Sequence, residues 1–175
     1  MRRKDREMDK VFAFKVIDNA DFGIVSMVAE SGIPYGIPLS IVREDNNLYF
    51  HSAMSGKKVD ILRDNSEVSV TFVGKVKVPD LYKKEELDEI IKDKKNAGNI
   101  ISSKVFTTEF ESTIVFGKVK ILEEKEEKIK GLRLICEKYT PSKMEYFPIA
   151  IESGLNITNV YKIEIREITG KRKKI

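Results

Sequence analysis

The chain has one histidine, His51, and one cysteine, Cys136, among its 175 residues. One imidazole excludes a multi-histidine metal site, and one thiol excludes a zinc–thiolate cluster and any intrachain disulfide. Cys136 reads as a small core residue on a helix. A chain without disulfides suits a reducing compartment, so a cytoplasmic location is expected. A serine-hydrolase triad would have to use His51, and no Gly-x-Ser-x-Gly elbow occurs to carry its nucleophile. No apolar run approaches the roughly 18 residues of a membrane span. The charged start lacks the apolar stretch of a secretory signal, and no membrane partner is expected. Charge of one sign is not in strong excess either: 32 basic and 28 acidic residues leave +4. That balance argues against nucleic acid as the main ligand. The basic ends, Arg2, Arg3, Lys4 and Arg6 and then Lys171 to Lys174, read as solvated tails.

What is present is a patterned chain of single-domain size, 1–175. Asp9 is placed to cap a short helix running to about Asp18. Strand-like stretches follow at Phe22–Ala29, Pro34–Val42 and Leu48–Ala53, with Glu30-Ser31-Gly32 and Arg43–Asn47 as turns. Pro34 and Pro38 predict an edge strand or a bulge. A helix is expected after Ser55-Gly56, with Val59, Ile61 and Leu62 inward. Further strands are expected at Glu67–Val73, Thr107–Leu122 and Asn156–Thr169, where Tyr161, Ile163 and Ile165 alternate with Lys162, Glu164 and Arg166. Between Glu123 and Tyr139 the apolar spacing is helical. The charged, irregular segment 79–104 reads as a variable insertion, with a possible helix over Lys83–Lys94. About six strands with short connections imply antiparallel pairing, and such a sheet must close or be covered. The fold class is therefore mainly β with flanking helices (α+β), an antiparallel barrel.

The informative block is Tyr49-Phe50-His51-Ser52-Ala53-Met54-Ser55-Gly56-Lys57-Lys58. It joins a strand to a helix start, where free N–H groups and the positive dipole end favour an anion. Gly56 allows close approach to the backbone. Lys57 and Lys58 put two ammonium groups where the dipole disfavours them. A phosphate dianion resolves that conflict; a solvated lysine pair is the plain alternative. The block is not a P-loop, because His51 and Lys58 stand where that motif needs Gly and Ser or Thr.

The order Pro34-Tyr35-Gly36-Ile37-Pro38-Leu39, then Leu48–Ala53, then Gly56-Lys57-Lys58 resembles the pyridoxamine 5′-phosphate oxidase-like family. Arg2-Arg3, the segment Glu109–Lys118 and the ending Thr169-Gly170-Lys171 are similar to its nitroimidazole-resistance branch. The resemblance implies a six-stranded split β-barrel that binds FMN at the interface of a homodimer. It implies that Leu39, Ser40 and Ile41 run along the flavin, that His51, Ser52 and Ala53 flank it, and that Lys57 and Lys58 hold its phosphate. Ser112 and Thr113 reach it from the other subunit. The implied activity is an FMN-dependent oxidoreductase acting on a small molecule such as a nitro compound, with a nicotinamide as donor and His51 as a catalytic acid. The alternatives are a flavin-binding module without turnover, or a binder of deazaflavin or haem. The segment Arg166–Arg172 does not match the Arg-x-x-x-Arg ending of the true oxidase, which argues against pyridoxamine-phosphate oxidation.

Overall fold

The computed structural model describes residues 2–93 and 95–175. After β1 (Glu7–Met8), the Asp9 carboxylate accepts the Phe12 N–H at 2.7 Å and so caps α1 (Lys10–Asn19). β2 (Gly23–Val28) and β3 (Pro34–Leu39) form a hairpin, with Gly32 at φ +79° in its turn. β4 (Val42–Glu44) and β5 (Asn47–Ala53) form a second hairpin. Then come α2 (Lys57–Asp64) and β6 (Glu67–Lys77). α3 (Lys84–Ile90), α4 (Ala97–Ile100) and a π-helical turn at Ile101–Val105 occupy the charged segment. β7 (Glu109–Ile121), α5 (Lys125–Tyr139), α6 (Phe147–Gly154) and β8 (Thr158–Lys173) complete the chain. No helix among the described residues is long and apolar enough to cross a membrane.

All strand pairs are antiparallel, in the order β3-β2-β6-β7-β8-β5-β4, with β1 on β8. The sheet has eight strands rather than six. One extra strand is the two-residue β1. The other arises because the expected return strand Pro34–Val42 breaks at Ser40–Ile41. β3 leaves the β2 ladder at Gly23↔Leu39, and β4 joins β5 at Val42↔Tyr49. These two strands are the opposite ends of the sheet, yet only two residues join them. Leu39 and Val42 Cα atoms are thus within about 11 Å of one another. The sheet must curl until its ends meet without pairing, which makes it a split barrel.

The curl encloses one core. Val25 and Met27 of β2, Val70 and Phe72 of β6, Val115 of β7, Leu48 and Phe50 of β5, and Tyr161 and Ile163 of β8 face inward. Val16 and Ile17 of α1 and Ile61 and Leu62 of α2 pack against them. The Phe50 and Tyr161 rings stack at 4.5 Å and 7°. α5 covers the other face of β5 and β8 through Ile135, Tyr49, Leu122 and Val160. The outer face of β2, β3, β6 and β7 has no such cover among the described residues: Val28, Val73, Ile114 and Phe116 are exposed there.

The β7–β8 register shifts between Phe116 and Gly117, where Arg166 is an extra residue on β8. A Cβ on Gly117 would lie 2.3 Å from the Glu164 carbonyl oxygen. Both groups belong to paired backbone and cannot easily move apart. Gly117→Ala is therefore expected to destabilise the fold by roughly 1–3 kcal/mol, the usual range for overpacking. Urea denaturation checks this, and an unchanged midpoint contradicts it.

Candidate functional site

β5 delivers its residues to two faces. Leu48, Phe50 and Ser52 point into the core, while His51 and Ala53 are exposed on the face that carries Tyr49. The chain then turns through Gly56 at φ +122°, a conformation that favours glycine. A Cβ there would meet nothing within 4 Å, so the approach to this turn is open. The Gly56 carbonyl accepts the Val59 N–H at 2.8 Å, and no side chain caps the helix. The N–H groups of Lys57 and Lys58, at its first two positions, have no intrahelical acceptor.

The two lysines diverge. The Lys57 ammonium sits 4.9 Å from the centre of the Tyr35 ring on β3, a cation–π contact that links the helix start to the edge strand. Lys58 acts on His51. The histidine is held below its ordinary pKa first by partial desolvation against the sheet and then by the Lys58 charge.

On the outer side of the same edge strand lies an open groove of about 630 Å³, lined by Phe22, Ile24, Gly36, Pro38, Leu39 and Ser40. Its walls carry no charged side chain. Leu39 is half-buried and Ser40 exposed. Ser40 makes no hydrogen bond among the described residues, so its backbone and hydroxyl groups are available. Tyr35, which carries the Lys57 contact, faces the core side of β3, while Gly36, Pro38 and Ser40 face the groove, so the helix start and the groove lie against the two sides of one strand.

Three expected residues are buried. Ile41 is fully buried, with its backbone groups bonded to the side chains of Lys138 and Tyr139. Thr113 is also fully buried, and its hydroxyl donates to the Ala13 carbonyl at 3.1 Å. Neither presents an atom at the surface. The physical reason is strand alternation: Ser112 lies on the exposed face of β7 with Ile114 and Phe116, so its neighbour Thr113 must face inward. Ser52 is buried, its hydroxyl donating to the Ala53 carbonyl at 2.6 Å with Tyr161 Oη at 3.3 Å. Ser112, half-buried, is three strands from β3, roughly 14 Å at the usual strand spacing.

A second concavity of about 610 Å³ lies beside α1, lined among others by Phe12, Lys15, Gly74, Glu111 and Arg172. None of the expected site residues lines it. The described residues contain no cluster of three or more His, Cys, Asp or Glu side chains able to hold a metal.

Residues 12–172 match a family model described as pyridoxamine 5′-phosphate oxidase. No curated protein matches the sequence. Among solved structures, a protein assigned to 5-nitroimidazole antibiotic resistance in Bacteroides thetaiotaomicron is 26% identical, with a TM-score of 0.71 over 95% of this chain and 86% of that one. A flavocytochrome from Azotobacter vinelandii is 15% identical, with a TM-score of 0.77 over 100% of this chain and 72% of its own. An FAD- and haem-binding protein from Mycobacterium smegmatis is 13% identical, with a TM-score of 0.76 over 97% and 74%. The likenesses below a quarter identity establish the fold.

The His51 environment is directly measurable, because one histidine gives one titrating imidazole in proton NMR. Desolvation and the Lys58 ammonium both disfavour the imidazolium, so its midpoint is expected below the ordinary 6.5. Lys58→Ala removes one of the two causes and should raise it. A midpoint at or above 6.5, or one insensitive to Lys58, contradicts the geometry.

Proposed function

The chain belongs to the pyridoxamine 5′-phosphate oxidase family, and from that premise we propose that it is a flavoprotein that binds FMN as a homodimer and acts as an oxidoreductase of a small molecule. The observation that carries this reading is a pair of complementary surfaces against the two sides of β3. One is the open, basic start of α2 with Gly56, Lys57 and Lys58; the other is the uncharged groove at Pro38, Leu39 and Ser40. A ligand with a phosphate at one end and a flat, largely apolar ring at the other suits both. FAD or a deazaflavin shares part of this chemistry, and the single lysine pair favours the one phosphate of FMN.

In this reading Lys57, Lys58 and their free N–H groups hold the phosphate. Leu39 and Ser40 lie along the ring, and His51 and Ala53 flank it from β5. Ile41, Ser52 and Thr113 support these residues from the core side rather than touching the ligand. Ser112 is too far along the sheet to reach the groove of its own chain, so it serves the groove of a second copy. The exposed face carrying Val28, Ile114 and Phe116 is where that copy would sit, since a two-fold contact buries an uncovered sheet face economically. Bound flavin supplies electron and hydride transfer, while the protein supplies position and electrostatics. His51, held below its ordinary pKa by desolvation and the Lys58 charge, is placed as a hydrogen-bonding group for the acceptor. Nitro compounds are the proposed acceptor class, by likeness to the resistance protein, with a nicotinamide as donor.

Charge-assisted hydrogen bonds contribute roughly 1.5–3 kcal/mol each. Lys57→Ala and Lys58→Ala should therefore each weaken FMN about tenfold or more, while riboflavin, which lacks the phosphate, is little affected. Fluorescence titration with both ligands tests this. Equal losses for the two would remove the lysines from the phosphate site, and a parent protein that takes up neither flavin would remove the reading itself.

A further inference from the structure

We infer that Tyr139 and Lys138, at the end of α5, are positioning residues for the flavin ring: they clamp the backbone where the two ends of the sheet meet and so fix the groove edge at Leu39 and Ser40. This rests on the proposed flavin site. Its basis is the bonding of Ile41, the residue next to Ser40. Tyr139 Oη accepts the Ile41 N–H at 2.9 Å and donates to the Ile41 carbonyl at 2.9 Å. Lys138 Nζ donates to that same carbonyl at 2.9 Å and to the Ile17 carbonyl in the last turn of α1 at 3.2 Å.

These bonds replace a missing ladder. Ile41 has left β3 and has not yet joined β4, and it is fully buried. Without the clamp its N–H and C=O would be orphaned in the core, which folded proteins avoid. The Ile41 side chain is fixed as well. A Cβ on Gly23 would lie 2.9 Å from Ile41 Cδ1 and 2.7 Å from the Phe72 ring, so the absence of a side chain at Gly23 makes room for both. Ile41 is thus held by backbone and side chain, while the adjacent Ser40 stays exposed with its polar groups unused. A ligand-facing residue beside a rigidly held one is a preorganised binding edge. The Lys138 ammonium also ties the end of α1 to this point, so α1, α5 and the connection converge on one ammonium. Burial lowers the pKa of Lys138, with Asp18 and Asp21 opposing that shift.

The test is Tyr139→Phe, which keeps the ring and deletes the hydroxyl. Because the clamp acts on the ring edge and not on the phosphate, FMN and riboflavin should both weaken about tenfold or more, unlike the phosphate-selective lysine variants. The visible spectrum of the remaining bound flavin should shift. Ile135→Val is the control: it trims a buried side chain of the same helix, in the cluster of Val42, Tyr49, Leu122 and Val160, and keeps all the clamp's hydrogen bonds. It should lower the melting temperature while leaving flavin affinity and spectrum at parent values. If Tyr139→Phe does not fold, Lys138→Gln, whose shorter side chain cannot span both carbonyls, should show the same loss for both flavins. Parent affinity and spectrum in the folded clamp variant overturn the inference, as does an equal flavin loss in Ile135→Val. Failure of the parent protein to bind either flavin overturns the flavin reading, and the clamp's role with it.

Discussion

The architecture depends on a two-residue connection. Ser40 and Ile41 join strands at opposite ends of one sheet, so the sheet has no choice but to curl until those ends adjoin. Everything inside follows from that curl. The inward faces of β2, β5, β6, β7 and β8 meet around Phe50, Phe72 and Tyr161, and α1 and α2 pack against the same core. The connection cannot pair with either ladder, which is why side chains from α5 must satisfy its buried backbone. The seam therefore unites fold and site: the residues that keep the barrel bent also hold the edge of the groove.

Two surfaces are left in a state that the chain alone does not resolve. Lys57 and Lys58 place positive charge at the positive end of a helix, and the outer face of β2, β3, β6 and β7 keeps large apolar groups in water. In the proposed reading each surface is answered by a different partner. A phosphate answers the first, and a second copy of the chain answers the other. Both surfaces reach β3, so the flavin would lie close to where the two copies meet. That placement also gives Ser112 a role that its own chain's geometry denies it.

The helix start at Gly56 was legible in the sequence because a glycine and two lysines after a strand form a purely local signal. So was the split of β5 into inward and outward residues, since period-two alternation needs no tertiary information. The break at Ser40 was not. Its prolines announced an edge, but nothing local says that a strand changes from one end of a sheet to the other. Ser112 and Thr113 are neighbours on β7, and alternation puts the first on the exposed face and the second in the core. Tyr139 read correctly as the end of a helical pattern, yet its partner Ile41 lies 98 residues away. Only the folded chain brings the two together.

The central claim is that a flavin is held where two copies of this chain meet, and light scattering with in-line flavin absorbance on the purified, FMN-loaded protein tests it most directly. The account predicts a particle of twice the chain mass carrying one flavin per chain, with flavin and dimer lost together on dilution. A monomer that retains FMN at full stoichiometry, or a dimer that never takes it up, would contradict it.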